Sequence, residues 1–163
     1  MAAIYERIHA AERRGELAIG WDPAIYPVRA TAEAALARED LFVCEEGGEI
    51  LASAIVNQRQ VDSYAGAPWA FSASEDEVMV LHTLTVDPLQ SGKGIGSAFV
   101  AFYEQYAVQH GCPVLRMDTN ARNLRARALY RRLGYREAAI VPCTFNGIPG
   151  VQLVLLEKEL YAR

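Results

Sequence analysis

The sequence is short of the features that announce several common protein classes. Its three cysteines, Cys44, Cys112 and Cys143, are odd in number, isolated and without a CxxC pair. That pattern argues against a disulfide framework and against a zinc site, so no metal is expected and a reducing cytoplasm is the simplest setting. No apolar run approaches the ~18 to 20 residues of a membrane span. The N-terminus lacks the basic flank and apolar core of a secretion signal. A formal net charge of −4 gives no basic surplus, so nucleic acid is a poor partner. No Lys-Ser or Lys-Thr pair occurs, which excludes a Walker phosphate loop.

What is present is an ordinary globular composition, 52% hydrophobic and 22% charged, over 163 residues. One domain spanning 1–163 is expected, large enough to bury about 70% of its unfolded surface. The pattern is organised around residues 81–135. Strand-forming residues from Glu75 to Val86 stop at Asp87-Pro88, and Gly92, Gly94 and Gly96 follow. An amphipathic stretch then runs to Gly111, with Ile95, Phe99, Phe102 and Tyr106 expected on one face. Strand, glycine loop and helix together aim free backbone N–H groups and the positive end of a helix dipole at one spot. Glycine permits positive φ and lets a ligand approach without meeting a Cβ. A phosphate or pyrophosphate is the expected guest, against the plainer alternative of a connecting turn. The alternating glycines do not match the dinucleotide fingerprint G-x-G-x-x-G, although Asp118 lies 22 residues past Gly96, where that fold places a ribose-binding acid.

The remaining elements follow from periodicity and punctuation. Ile4, Ile8 and Ala11 predict a helix over 1–14, ended by Gly15. Thr31 is expected to cap a short helix through Ala37. Residues 41–46 and 49–59 predict a hairpin around Gly47-Gly48. A loop over 61–74 could cover a pocket. Residues 114–118 predict a buried strand, and 123–133 a helix capped by Asn123. Strands over 135–142 and 151–160 flank a turn at Asn146–Gly150. This mixture predicts an α/β sandwich over one central sheet.

Two segments together resemble a known family. Ser91-Gly92-Lys93-Gly94-Ile95-Gly96 resembles the [QR]-x-x-G-x-[GA] loop of the GNAT N-acetyltransferases. Asn123, Ala126, Leu129, Tyr130, Gly134 and Tyr135 resemble that family's N-x-x-A-x-x-L-Y-x-x-x-G-[FY] segment. The resemblance covers about residues 41–157. It implies a GNAT-type mixed central sheet with helices on both faces, here without the usual first strand, and acetyl-CoA as co-substrate. The loop from Ser91 to Ser97, including Lys93, Ile95 and Gly96, would hold the pyrophosphate. Leu84, Thr85 and Val86 would pair with the pantetheine arm, and Asn123 would touch the cofactor. Ser91 departs from the family, which has Gln or Arg there, so one side-chain contact is expected to be missing.

Acetyl transfer to an amine needs a neutral amine, an oxyanion site and a proton for the thiolate. Deprotonating a Lys-like amine at pH 7 costs about 4 to 5 kcal/mol, so a base poised near neutrality helps. A histidine at His82 resembles the arylalkylamine acetyltransferases, where it helps remove that proton; its plain alternative is a hydrogen-bonded strand histidine. Strict alternation would put His82, Leu84 and Val86 on one face. Glu77, in a small acidic cluster, is the second candidate base. Tyr130 matches the family tyrosine that protonates the leaving thiolate, and its plain alternative is a core residue. Trp21 and Tyr26 are candidate acceptor contacts, in a region the family uses for that purpose. The acceptor would be a small-molecule or protein amine, attacked directly, and a homodimer is compatible with a sheet lacking its first strand. A non-catalytic acyl-CoA-binding module is the alternative function, and a dinucleotide oxidoreductase a distant third.

Overall fold

The computed structural model describes residues 1–160; residues 161–163, the end of the expected domain, lie outside it. Helix α1 (Ala2–Arg13) opens the chain and α2 (Arg29–Ala37) follows a long loop. The hairpin β1 (Leu41–Glu46) and β2 (Glu49–Asn57) leads through an irregular stretch to β3 (Val78–Val86). Then come α3 (Ile95–Gln109), β4 (Val114–Asn120), α4 (Leu124–Arg132), β5 (Arg136–Phe145) and β6 (Ile148–Glu159). No helix among the described residues is long and apolar enough to cross a membrane.

The six strands form one mixed sheet in the order β1-β2-β3-β4-β6-β5. Only β3 and β4 pair in parallel, because α3 carries the chain back across the sheet between them. Helix α4 makes a second crossover, and β6 returns to fill the place between β4 and β5. One face packs Met79, Leu81, Leu115 and Met117 against Phe99, Val100 and Tyr103 of α3 and Tyr130 of α4. On the other face Val78, Val80, Leu153 and Leu155 lie under Tyr64 and the loop that carries Trp69 and Phe71. That loop is clamped by the buried carboxylate of Glu157, which accepts from the amides of Ala70 (2.8 Å) and Phe71 (3.2 Å).

Several expectations shift. Thr31 is not the cap of α2: it stands one turn inside, and its hydroxyl accepts from the amide of Val28 (3.0 Å). Residues Glu75–Glu77 form a 3₁₀ turn, so β3 starts at Val78. The turn between β5 and β6 tightens to Asn146-Gly147. The buried stripe of α3 is Phe99, Val100, Tyr103 and Ala107. Tyr103 takes the central place because its hydroxyl lies 2.6 Å from the carbonyl of Met79 and 3.1 Å from that of Arg116, bridging β3 and β4. Phe102 and Tyr106 turn outward onto Phe42, at ring separations of 5.4 and 4.9 Å.

Candidate active site

The sheet opens where β3 and β4 part. Their pairing runs only from Val78↔Val114 to Leu81↔Met117, although β3 continues to Val86 and β4 to Asn120. The opening coincides with a bulge in β3. The register against β2 slips between Ser53 and Ile55, and Thr83 takes φ +52°. A β-branched residue in the left-handed region is strained, on the order of 1–3 kcal/mol, and such strain concentrates at functional sites. The Tyr26 hydroxyl hydrogen-bonds the Thr83 hydroxyl there. The extra residue also reverses the facing of the strand. Leu84 and Val86 pack with α3 and α4, while His82 stays opposite them, so the expected sharing of one face by these three residues does not hold.

Two hollows meet at this opening. The larger, about 510 Å³, runs along Leu84, Thr85 and Val86 to Ser91, Gly92 and the start of α3, with α4 as its other wall. The smaller, about 130 Å³, is walled by Trp21, Tyr26, His82, Asp118 and Phe145. Trp21, Leu84, Asn123 and Tyr130 line both, so they mark the junction.

The large groove has the features that a phosphate requires. Gly92 and Gly94 have φ of +83° and +76°, and a Cβ at either would meet nothing within 4 Å, so the loop is open to a guest. The α3 ladder begins with Ala98 N–H to Gly94 O at 3.0 Å, leaving the amides of Ile95, Gly96 and Ser97 without intrahelical acceptors. Gly96 differs from both: its φ is not positive, and a Cβ there would lie 3.4 Å from Leu129, in ordinary contact. Lys93 does not line the groove and turns to Gln90 Oε1 at 2.7 Å. The site left short by Ser91 is reached from across the groove, because Arg125 Nη2 donates to Ser91 Oγ at 2.6 Å. These residues fit the diphosphate and pantetheine portions of acetyl-CoA.

Placement separates the candidate catalytic groups. Tyr130 is buried at the junction, its ring edge-on to Tyr135 at 6.0 Å. Burial, then the charge of Asp118, pushes its phenol well above the ordinary value. His82 lines the small hollow, and its Nε2 sits 3.1 Å from Asn57 Oδ1. That oxygen only accepts, so Nε2 carries the proton. Burial pushes the imidazole down to about 4, against a backbone hydrogen bond at Arg59. Glu77 is not among the residues brought to either hollow: its carboxylate accepts from the amide (3.0 Å) and hydroxyl (2.8 Å) of Ser74. Asn123 caps α4, accepting from Ala126 N–H at 3.1 Å, and still faces both hollows. Three aromatic side chains, Trp21, Tyr26 and Phe145, edge the small hollow. Tyr64 stands behind Asp118, and Trp69 stacks on Arg116 at 4.3 Å.

Two residues at the site are not singled out by local sequence. In sequence Asp118 reads as a strand-end acid spaced like a ribose ligand, and Arg125 as one of several arginines in and beside its helix. Their signals, a strand-end acid and a cation opposite the loop's missing side chain, become specific only when the strands are seen to part.

Residues 4–135 match the acetyltransferase (GNAT) family. The chain is 30% identical over 104 residues to MJ1207, an uncharacterized N-acetyltransferase of Methanocaldococcus jannaschii, covering 63% of this chain and 42% of that protein. It therefore spans less than half of that relative's length. The fold is shared with a protein of Staphylococcus aureus Mu50 assigned as an acetyltransferase, at TM-score 0.70 and 21% identity, over 97% of this chain and 91% of the other. It is also shared with yncA of Salmonella typhimurium, solved with its cofactor acetyl-CoA, at TM-score 0.68 and 20% identity, over 99% and 89% of the two chains. With four-fifths of its length matched and both motifs facing one cleft, the chain belongs to the GNAT acetyltransferase family.

Proposed function

We propose that this chain is an acetyl-CoA-dependent N-acetyltransferase that moves the acetyl group directly from the thioester to a primary amine, in the reducing cytoplasm that its three free cysteines suit. The observation that carries the reading is the junction: a phosphate-ready groove and an aromatic hollow open onto each other at one buried phenol, Tyr130.

The chemistry divides between the two sides. The α3 amides and the glycine loop hold the diphosphate, with Arg125 supplying the cation that Ser91 lacks. The unpaired edge of β3 from Leu84 to Val86 receives the pantetheine arm as an added strand and offers a backbone N–H to the developing oxyanion. Tyr130 holds its proton until the C–S bond breaks, since its phenol is driven up rather than down. Its role is a hydrogen bond to the sulfur that strengthens as thiolate character grows, with proton delivery only as the C–S bond breaks. The amine enters through the hollow walled by Trp21 and Tyr26.

The test pairs binding with turnover. Acetyl-CoA at about 100 times its Kd should stabilise the protein by ~2.7 kcal/mol, seen as a rise in Tm that NAD does not produce. Thiol release in the presence of amines should follow. No Tm rise with acetyl-CoA would overturn the reading. Binding without thiol release for any amine would favour a non-catalytic acyl-CoA-binding module.

A further inference from the structure

Asp118 is an acid in an unusual position. It sits at the end of β4, beyond the last residue paired with β3, and lines the small hollow close to Tyr130. Its Oδ2 accepts from the Tyr64 hydroxyl at 2.7 Å, and no hydrogen bond to Oδ1 occurs among the described residues. The ionisable groups around it are Tyr26 from the loop before α2, Tyr64 from the loop after β2, His82 from β3 and Tyr130 from α4. None of them is a cation at neutral pH. No Arg or Lys lines the hollow, and no salt bridge reaches Asp118 among the described residues. Arg116, two residues earlier on β4, bonds to Gln60 and to the carbonyl of Phe71 instead.

Asp118 is half-buried, and a carboxylate partly desolvated without a cation is costly; the cost is relieved when a cation binds or when the acid takes up a proton. Both reliefs occur in turn if the guest is an ammonium ion. We propose that Asp118 receives the cationic amine of the acceptor and takes its proton, which makes the acceptor a small amine with an apolar body packed on Trp21, Tyr26 and Phe145. This inference rests on the acetyltransferase reading above. The step balances. One ammonium proton passes to Asp118, leaving a neutral amine. The amine nitrogen bonds to the acetyl carbon, the C–S bond breaks, and the second proton reaches the departing thiolate by way of Tyr130. Asp118 then returns its proton to solvent.

Burial pushes the Asp118 carboxyl up to about 7, with the Tyr64 hydrogen bond pulling it back, so as a base it is matched to neutral pH. His82 is pushed to about 4 and is a far weaker base. The two assignments therefore predict different pH profiles.

The experiment measures thiol release by the full chain with acetyl-CoA and four probe amines: benzylamine, tyramine, n-butylamine and free lysine. The wild type should acetylate at least one of the first three in preference to free lysine, with kcat/KM rising through about pH 7. Asp118→Asn, which keeps the acceptor oxygen for Tyr64, should lower kcat/KM by about 10²-fold or more and abolish that limb while leaving acetyl-CoA affinity unchanged. Tyr64→Phe removes a hydrogen bond to the charged form, so the limb should move to higher pH. Should Asp118→Asn fail to fold, the direction of the Tyr64→Phe shift decides. Full activity in Asp118→Asn, a limb that Tyr64→Phe leaves in place, or a limb near pH 4 would overturn the proposal. A wild type that binds acetyl-CoA yet acetylates none of the four amines would overturn the acceptor class. A wild type that does not bind acetyl-CoA would instead remove the reading on which the inference rests.

Discussion

Arg125, in the first turn of α4, donates a 2.6 Å hydrogen bond across the groove to the hydroxyl of Ser91 in the glycine loop. An arginine near a helix N-terminus opposes the helix dipole. Among the described residues it has no carboxylate partner. Its position is therefore explained by the loop rather than by the helix. Arg125→Ala should weaken acetyl-CoA binding about tenfold, the loss of one charge-assisted hydrogen bond. Pantetheine, which lacks the phosphates, should bind both forms equally. Titration calorimetry with the two ligands checks this, and equal acetyl-CoA affinity would return Arg125 to the solvated surface.

Tyr130→Phe keeps the ring against Tyr135 and deletes only the hydroxyl. Turnover should fall by about 10²-fold or more, with acetyl-CoA affinity nearly unchanged. Because burial drives the phenol well above its ordinary value, no pH limb should be assignable to it below about pH 10. A mutant with wild-type kcat would leave Tyr130 as a core residue.

Asp87 ties α1 to the start of the loop. Arg7 Nε and Nη2 donate to its two oxygens at 3.0 and 2.5 Å, and the Leu89 amide adds a third bond at 3.1 Å. Burial alone would raise the Asp87 carboxyl, but the Arg7 and Leu89 hydrogen bonds outweigh it and hold the acid below its ordinary value. Stability from this pair is present above the unfolded carboxyl value and is lost as pH falls through the depressed one. Arg7→Ala should cost about 1.5 to 3 kcal/mol at pH 7, toward the lower end because Arg7 is partly solvated. Urea unfolding of both forms checks it, and the difference should vanish near pH 2.

Asp118 carries the opposite sign. Its folded carboxyl is raised to about 7, so the folded state is favoured by the protonated form. Stability is greatest below the unfolded value near ~4 and declines as pH rises to about 7. Asp118→Asn removes this loss, so its Tm should exceed that of the wild type at pH 8 and converge with it near pH 4. A lower Tm at pH 8 would show Asp118 to be a structural acid.

Gly94 and Gly96 should respond differently to alanine. Gly94 holds φ +76°, which a Cβ makes unfavourable, so Gly94→Ala should lower stability and cofactor affinity together. Gly96 lies inside α3 with ordinary contact distances to Leu129 and Val86. Gly96→Ala should therefore hold or raise Tm by the helix-propensity gain of up to ~1 kcal/mol. Thermal unfolding of the two variants separates these causes.

Local chemistry made much of this molecule legible in the chain itself. The periodicity of Ile4, Ile8 and Ala11, the Gly47-Gly48 turn, the Asn123 cap and the alternating glycines act over a few residues, so they mark the same elements in sequence and in structure. The glycine loop and the helix bearing Tyr130 were legible for the same reason. What only the tertiary structure decided lies where distant segments compete for one place. The bulge at Thr83 depends on pairing with β2, and it turned His82 away from Leu84 and Val86. Glu77 was drawn into a cap by Ser74. Whether Asp118 faces a hollow without a cation, and whether Arg125 meets Ser91, depends on how far β3 and β4 diverge before α4 packs across them. Burial and charge pairing are properties of the assembled sheet, so no window of sequence contains them.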